Sequence, residues 1–198
     1  NCGQVCIALK RLYVHESQYD EMCEALAAIA NNATVGDGLD NGVQIGPLQN
    51  IMQYKKAQKY LEAGARDGKI IAGGDVLNRQ GYFIQPTIVR DIDDSSTLVS
   101  EEQFAPILPI IKYSDLDDVI SRANDSEYGL GGSVWSSNVA RAKRVATQIS
   151  SGTVWINPHL HFGPHIPFSG AKQSGMGVEF SREGIAEFTQ CSVISVSK

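Results

Sequence analysis

Blocks of positive charge are missing from this 198-residue sequence: 17 Lys and Arg stand against 22 Asp and Glu, for a net charge of -5. With no basic cluster to offset the acidic balance, nucleic acid is not expected as a main partner. Long apolar runs are missing too, so neither a membrane span nor a signal peptide is expected. Cysteine is scarce. Four of them (Cys2, Cys6, Cys23, Cys191) are too few for a disulfide framework and point to a reducing, cytoplasmic setting. Without a secretion signal, Asn32-Ala33-Thr34 and Asn124-Asp125-Ser126 are chance matches to a glycosylation pattern. The dinucleotide fingerprint Gly-x-Gly-x-x-Gly, the P-loop and Cys-x-x-Cys do not occur. Gly64-Ala65-Arg66-Asp67-Gly68-Lys69 has the wrong spacing for a phosphate loop and falls where a helix is expected to end. His159, His161 and His165 have no thiol or carboxylate close in sequence to complete a ligand set, so no metal is expected.

What is present is an ordinary globular composition, 42% apolar and 20% charged. Apolar residues at helical spacing predict a helix from about Gln18 to Asn31, capped by Ser17, with Cys23 on its buried face. A second is predicted from about Asn50 to Arg66, ended by Gly68. Two more follow, one around Leu116–Ala123 after Ser114 and one around Val139–Ile149 after Asn138. Short apolar strands are predicted at 70–72, 86–89, 107–111, 129–135 and 153–157. Helices alternating with such strands predict an α/β domain on a largely parallel sheet flanked by helices. One domain is the simplest reading. The chain opens without Met on a pattern already under way, as expected of a piece of something longer.

That pattern is Asn1-Cys2-Gly3-Gln4-Val5-Cys6, followed by the alternating residues Val5, Ile7, Leu9, Leu12 and Val14. A thiol at a loop-to-strand junction, with Gly three residues before it, can be exposed among backbone N–H groups that favour the thiolate. Spacing alone leaves a buried structural cysteine equally open.

Three further segments change that reading. Glu101-Glu102-Gln103-Phe104-Ala105-Pro106, Tyr128-Gly129-Leu130 and Pro167-Phe168-Ser169-Gly170-Ala171-Lys172-Gln173-Ser174-Gly175 follow the first in order. Together the four resemble the carboxyl-terminal, catalytic half of the aldehyde dehydrogenase superfamily: Asn-x-Gly-Gln-x-Cys, Glu-Glu-x-Phe-Gly-Pro, Tyr-Gly-Leu and Pro-Phe-Gly-Gly-x-Lys-x-Ser-Gly. Ala105 and Ser169 each replace a family Gly, and Val178-Glu179 replaces Arg-Glu.

The resemblance implies a catalytic domain over residues 1–188 and an oligomerisation strand over 189–198, where Ser192 to Val196 alternate like an edge strand able to pair with another subunit in a homodimer or tetramer. It implies Cys6 as nucleophile, adding to an aldehyde to give a thiohemiacetal. Hydride then passes to NAD or NADP, and the resulting thioester is hydrolysed to the acid. Glu102 would take the nicotinamide ribose hydroxyls and Phe104 would touch the nicotinamide ring. Phe162 and Phe168 would line the tunnel of a small-molecule aldehyde, and Cys2 has no role. The family's cofactor-binding domain, its general base and one oxyanion donor lie upstream of what this chain contains, so the 198-residue piece alone is expected to be inactive. Two other readings stay open: a Cys hydrolase or acyltransferase pairing Cys6 with His159 or His161, and an assembly module whose thiol is incidental.

Overall fold

The computed structural model describes residues 1–198. Backbone packing divides them into two compact units, Asn1–Val119 and Ile120–Lys198, a division that the sequence pattern does not mark. No helix is long and apolar enough to cross a membrane.

The first unit is built on β1 (Leu12–His15), α1 (Tyr19–Asn32), α2 (Ile51–Asp67), β2 (Lys69–Ala72), β3 (Thr87–Arg90), α3 (Thr97–Ser100) and β4 (Ile107–Tyr113), and the division falls within α4 (Leu116–Asn124). The sheet runs β1-β4-β3-β2. β4 is parallel to both β1 and β3, and only β2 joins antiparallel. Strand side chains alternate between faces, and the two cores follow that period. Ile88 and Ile110 point to one side with Val14, Tyr19, Cys23 and Ala30. Val89 and Ile111 point to the other with Ala57, Tyr60, Leu61 and Leu98. One face is thus covered by α1, the other by α2 and α3.

Tyr19 anchors the α1 face. It is wholly buried, its hydroxyl donates to Ile110 O at 3.0 Å and accepts from Asp91 N at 2.7 Å. Arg90 and Lys112 place cations over its ring, at 4.9 and 4.6 Å from the centroid. Burial raises the phenol's pKa above its ordinary value, so the ring stays neutral.

Asn138 caps its helix as expected, accepting from Arg141 N, and Asn50, read only as the approximate start of the second helix, is its cap, accepting from Gln53 N. Ser17 does not cap α1. Glu16–Gln18 forms a 3-10 turn in which His15 Nδ1 accepts from Ser17 N, and α1 starts at Tyr19 without a side-chain cap. His15 is half-buried against the Tyr113 ring. At α4 it is Asp115, not Ser114, whose side chain accepts a helix N–H, from Asp118. The alternation of Val5, Ile7 and Leu9 does not become strand either: it is spent in turns, and β1 begins only at Leu12.

The second unit carries β5 (Tyr128–Gly129), β6 (Gly131–Val134), α5 (Val139–Ala146), β7 (Thr153–Ile156), β8 (Phe168–Ser169), β9 (Ala171–Lys172), β10 (Val178–Glu179) and α6 (Ser181–Ala186). β6 and β7 are parallel, while β5–β9 and β8–β10 are antiparallel pairs. Residues 189–198 form no ladder within the chain, and Val193, Ile194 and Val196 are about as exposed as side chains can be.

Candidate active site

Cys6 is exposed, on a loop of tight turns closed by Gln4 N to Asn1 O and Ala8 N to Val5 O. Neither of these bonds uses the Cys6 main-chain N–H. Its neighbour Cys2 has the opposite surroundings: it is buried in the core on the α2 face, and burial pushes its thiol up to about 11 against the opposing amino-terminal charge. Of the two, only Cys6 is open to a small molecule. Cys23 is wholly buried and Cys191 exposed.

The Cys6 loop is seated on the Glu101–Pro106 segment. Gly3 (φ 72°) lies so close that a Cβ built on it would be 2.5 Å from Ala105 O, a position open only to glycine. The side chain of Gln103 is buried, and its amide donates to Lys10 O at 3.0 Å and Ile107 O at 2.7 Å. Lys10 Nζ donates to Gly3 O at 2.8 Å and sits 4.5 Å from the Phe104 ring centroid. Gln4 Oε1 accepts from Gln49 N at 2.9 Å, just before α2.

The Glu102–Phe104 loop is held from below by α2. Gln53 Nε2 donates to Gln103 O at 2.8 Å and Phe104 O at 2.9 Å. Tyr60 OH donates to Glu101 Oε2 at 2.8 Å, and Lys56 Nζ donates to Glu102 O at 3.3 Å. These bonds hold Phe104 in left-handed backbone at φ 49°, which costs a non-glycine residue about 1 kcal/mol. Glu102 and Phe104 are half-buried, and the Glu102 carboxylate belongs to none of the chain's ion pairs. A carboxyl group outside any ion pair beside a presented ring suits a group carrying hydroxyl donors and a flat heterocycle. Cys6, Glu102 and Phe104, expected as site residues, thus share one scaffold in the first unit. Sequence reading passed over Gln53, Tyr60, Gln103 and Lys10, which build it. Only the Gln inside Glu101-Glu102-Gln103-Phe104 lay within a quoted segment.

Phe162 and Phe168 belong to the second unit, where they meet edge-on with centroids 5.0 Å apart. Phe162 also meets Trp155 edge-on at 5.5 Å and lies 6.4 Å from Phe180. Trp155 Nε1 donates to His161 O at 2.8 Å, fixing the loop that carries Phe162. His159 packs edge-on to Trp155 at 5.1 Å. No group of three or more His, Cys, Asp or Glu side chains is arranged to hold a metal.

The remaining two segments also meet in the second unit. Tyr128 and Gly129 pair with Lys172 and Ala171. Gly129 N donates to Ser174 Oγ at 2.9 Å, and Lys172 Nζ donates to Asn124 O and Ser126 O at 2.7 and 2.8 Å. Ser169, where the family has Gly, sits in β8 opposite Val178. The close approach is made instead by Gly152, whose added Cβ would lie 1.7 Å from Ser169 O.

The family model for the aldehyde dehydrogenase family matches residues 1–194. The chain belongs to that family. The mitochondrial aldehyde dehydrogenase of Leishmania tarentolae is 40% identical over 98% of this chain and 39% of its own length. The betaine aldehyde dehydrogenase of Brucella anthropi is 40% identical over 98% of this chain and 41% of its own. Among solved structures, the NAD+ complex of an aldehyde dehydrogenase from Bacillus cereus superposes with a TM-score of 0.91 at 36% identity, over 96% of this chain and 39% of that one. The chain therefore spans about 40% of the length of these relatives, and its α/β architecture, with a mostly parallel sheet flanked by helices, is that of the aldehyde dehydrogenase structures.

Proposed function

We propose that the protein is an NAD(P)-dependent aldehyde dehydrogenase that oxidises an aldehyde to its carboxylic acid through Cys6. The observation that carries this reading is the seating of the exposed Cys6 loop on the Glu102–Phe104 loop, through Gly3, Gln103 and Lys10. It joins a nucleophile to a carboxylate and a ring suited to a dinucleotide. Cys6 Sγ adds to the carbonyl carbon, forming a C–S bond and an oxyanion that the Cys6 main-chain N–H can receive. One such donor is worth on the order of 10²–10³ in rate. When bound, the nicotinamide supplies the hydride acceptor. Glu102 would hold the adjoining ribose through its hydroxyls, and Phe104 would limit the ring's movement. Water then cleaves the Cys6 thioester, releasing the acid and the thiol. The NAD+ complexes among related structures support a nicotinamide cofactor, with NADP the alternative.

The edge-on Phe162 and Phe168 rings support apolar or aromatic aldehydes. The exposed Val193, Ile194 and Val196 support association of the terminal segment with a second subunit. Four free cysteines suit a reducing cytoplasm. Among residues 1–119 the one histidine, His15, is engaged with Ser17 and Tyr113, so that unit offers Cys6 no histidine partner for the hydrolase reading. The test is aldehyde-dependent NADH formation by the intact protein. Cys6→Ala should abolish it, and activity surviving that substitution would sink the reading.

A further inference from the structure

Asn41-Gly42 is the chain's single Asn-Gly pair. It sits at a turn in the loop between α1 and α2, and both residues are exposed. Gly42 has a φ of 82°, and a Cβ built on it would meet nothing within 4 Å. The turn closes through Val43 N to Asp40 O at 3.5 Å, the outer limit of a hydrogen bond. Neither Gly42 N nor the Asn41 carboxamide takes part in any hydrogen bond of the chain. The other asparagines are more constrained. The carboxamides of Asn50, Asn124, Asn138 and Asn157 are taken up by main-chain groups. Asn31 and Asn32 end α1, and Asn1 precedes the buried Cys2. Asn78 is exposed, but the N–H that follows it, on Arg79, donates to Leu77 O at 2.8 Å.

We propose that Asn41 is a site of spontaneous deamidation, through a cyclic imide formed with Gly42. Hydroxide takes the proton from Gly42 N, and the nitrogen adds to Asn41 Cγ, so that a new C–N bond closes a five-membered ring. The bond from Cγ to the side-chain nitrogen then breaks, and that nitrogen takes a proton from water and leaves as ammonia. Water opens the imide at either carbonyl. One opening leaves aspartate at position 41; the other leaves isoaspartate, in which the main chain runs through the former side chain and is longer by one methylene. Nothing is oxidised or reduced. The attacking nitrogen and the carbon it attacks are held on adjacent residues, so the step is intramolecular and needs only rotation about the bonds between them. Glycine leaves that rotation open and puts no Cβ in the path of the closing ring. Either product adds a carboxylate to an exposed loop that already carries Asp37 and Asp40. Gly36 N to Ile45 O at 3.0 Å and Gln44 N to Thr34 O at 2.9 Å pin the base of the loop, which confines the change to its tip. The proposal is independent of the role given to Cys6.

The test incubates the intact, folded protein in heavy-oxygen water at physiological temperature and mildly alkaline pH. Each asparagine is followed by peptide mass spectrometry, with fragmentation that separates aspartate from isoaspartate. The Asn41 peptide should convert to both isomers, each carrying the heavy oxygen, at least roughly 10-fold faster than the Asn78 peptide. Isoelectric focusing should show a species one unit more negative than the parent's -5. Asn41→Gln must freeze one more rotatable bond before a ring can close, and should lose at least about 90% of the conversion. Gly42→Ala, whose methyl enters open space in the folded loop but crowds the closing ring, should slow it in the same direction. Conversion at Asn41 no faster than at Asn78 would overturn the proposal. So would aspartate formed without isoaspartate, or an undiminished rate in Gly42→Ala.

Discussion

The two units solve the same problem, joining sequence-distant loops into one surface, with different chemistry. In the first, the Cys6 and Glu102 loops are fastened by polar side chains reaching main-chain carbonyls: Gln103 to Lys10 O, Gln53 to Gln103 O and Phe104 O, Lys10 to Gly3 O. In the second, the Tyr128 and Lys172 segments meet as a two-stranded ladder, and Trp155, Phe162, Phe168 and Phe180 pack ring against ring. Hydrogen bonds to carbonyls fix position and direction, whereas aromatic packing fixes volume and tolerates some rearrangement. The reacting sulfur and cofactor carboxylate proposed for the first unit would need the former. The apolar pocket proposed for the second would need the latter.

The largest expected effect lies where backbone meets backbone. Gly152→Ala would thrust a methyl into Ser169 O; we expect a loss of more than about 3 kcal/mol, read as insoluble protein or a strongly lowered unfolding midpoint. Gly3→Ala meets Ala105 O and a left-handed φ of 72° together. A cost of about 1–3 kcal/mol is expected, and aldehyde oxidation should fall more steeply than stability because the Cys6 loop lifts from its seat. Next comes Gln53→Ala, which strips donors from two carbonyls at about 1–3 kcal/mol. It should raise the NAD KM while leaving the rate of Cys6 alkylation nearly unchanged. Phe162→Leu should be milder. Edge-on ring contacts are worth about 0.5–1.5 kcal/mol, and the expected outcome is a selective loss of kcat/KM for aromatic over short aliphatic aldehydes.

The last effect is confined to alkaline pH. The Cys2 thiol has its folded pKa raised to about 11, above the ordinary 9.0. Its stabilising contribution is therefore complete below pH 9 and is lost as pH rises toward 11, because only the unfolded chain ionises readily in that window. Cys2→Ala should flatten the decline of the unfolding midpoint between those limits.

Much of this was legible in the chain because it is local. Asn138 announces its helix, since a cap is a relation between residues three apart. The cores on either face of β3 and β4 follow from alternation within each strand. Local rules also misled. Ser17 has the chemistry of a cap, but His15 closes a 3-10 turn there first. Asp115 outcompetes Ser114 by one position. Val5, Ile7 and Leu9 alternate like a strand, yet Gly3 and the turns around Cys6 hold them out of the sheet. Cys6, Glu102 and Phe104 entered as candidates only through a family resemblance, and Phe162 and Phe168 likewise; whether they act as proposed is for the experiments above. Lys10, Gln53 and Tyr60 were not read as site residues, because their partners lie 41 to 51 residues away or on the far side of a turn. Only folding creates those pairs.

Phe104 holds a last lesson. Its backbone lies in a region where glycine would sit at ease, so Phe104→Gly should relax the chain there even as it deletes the ring. A variant that melts later and turns over more slowly would mark this residue as one where durability has been surrendered for aim.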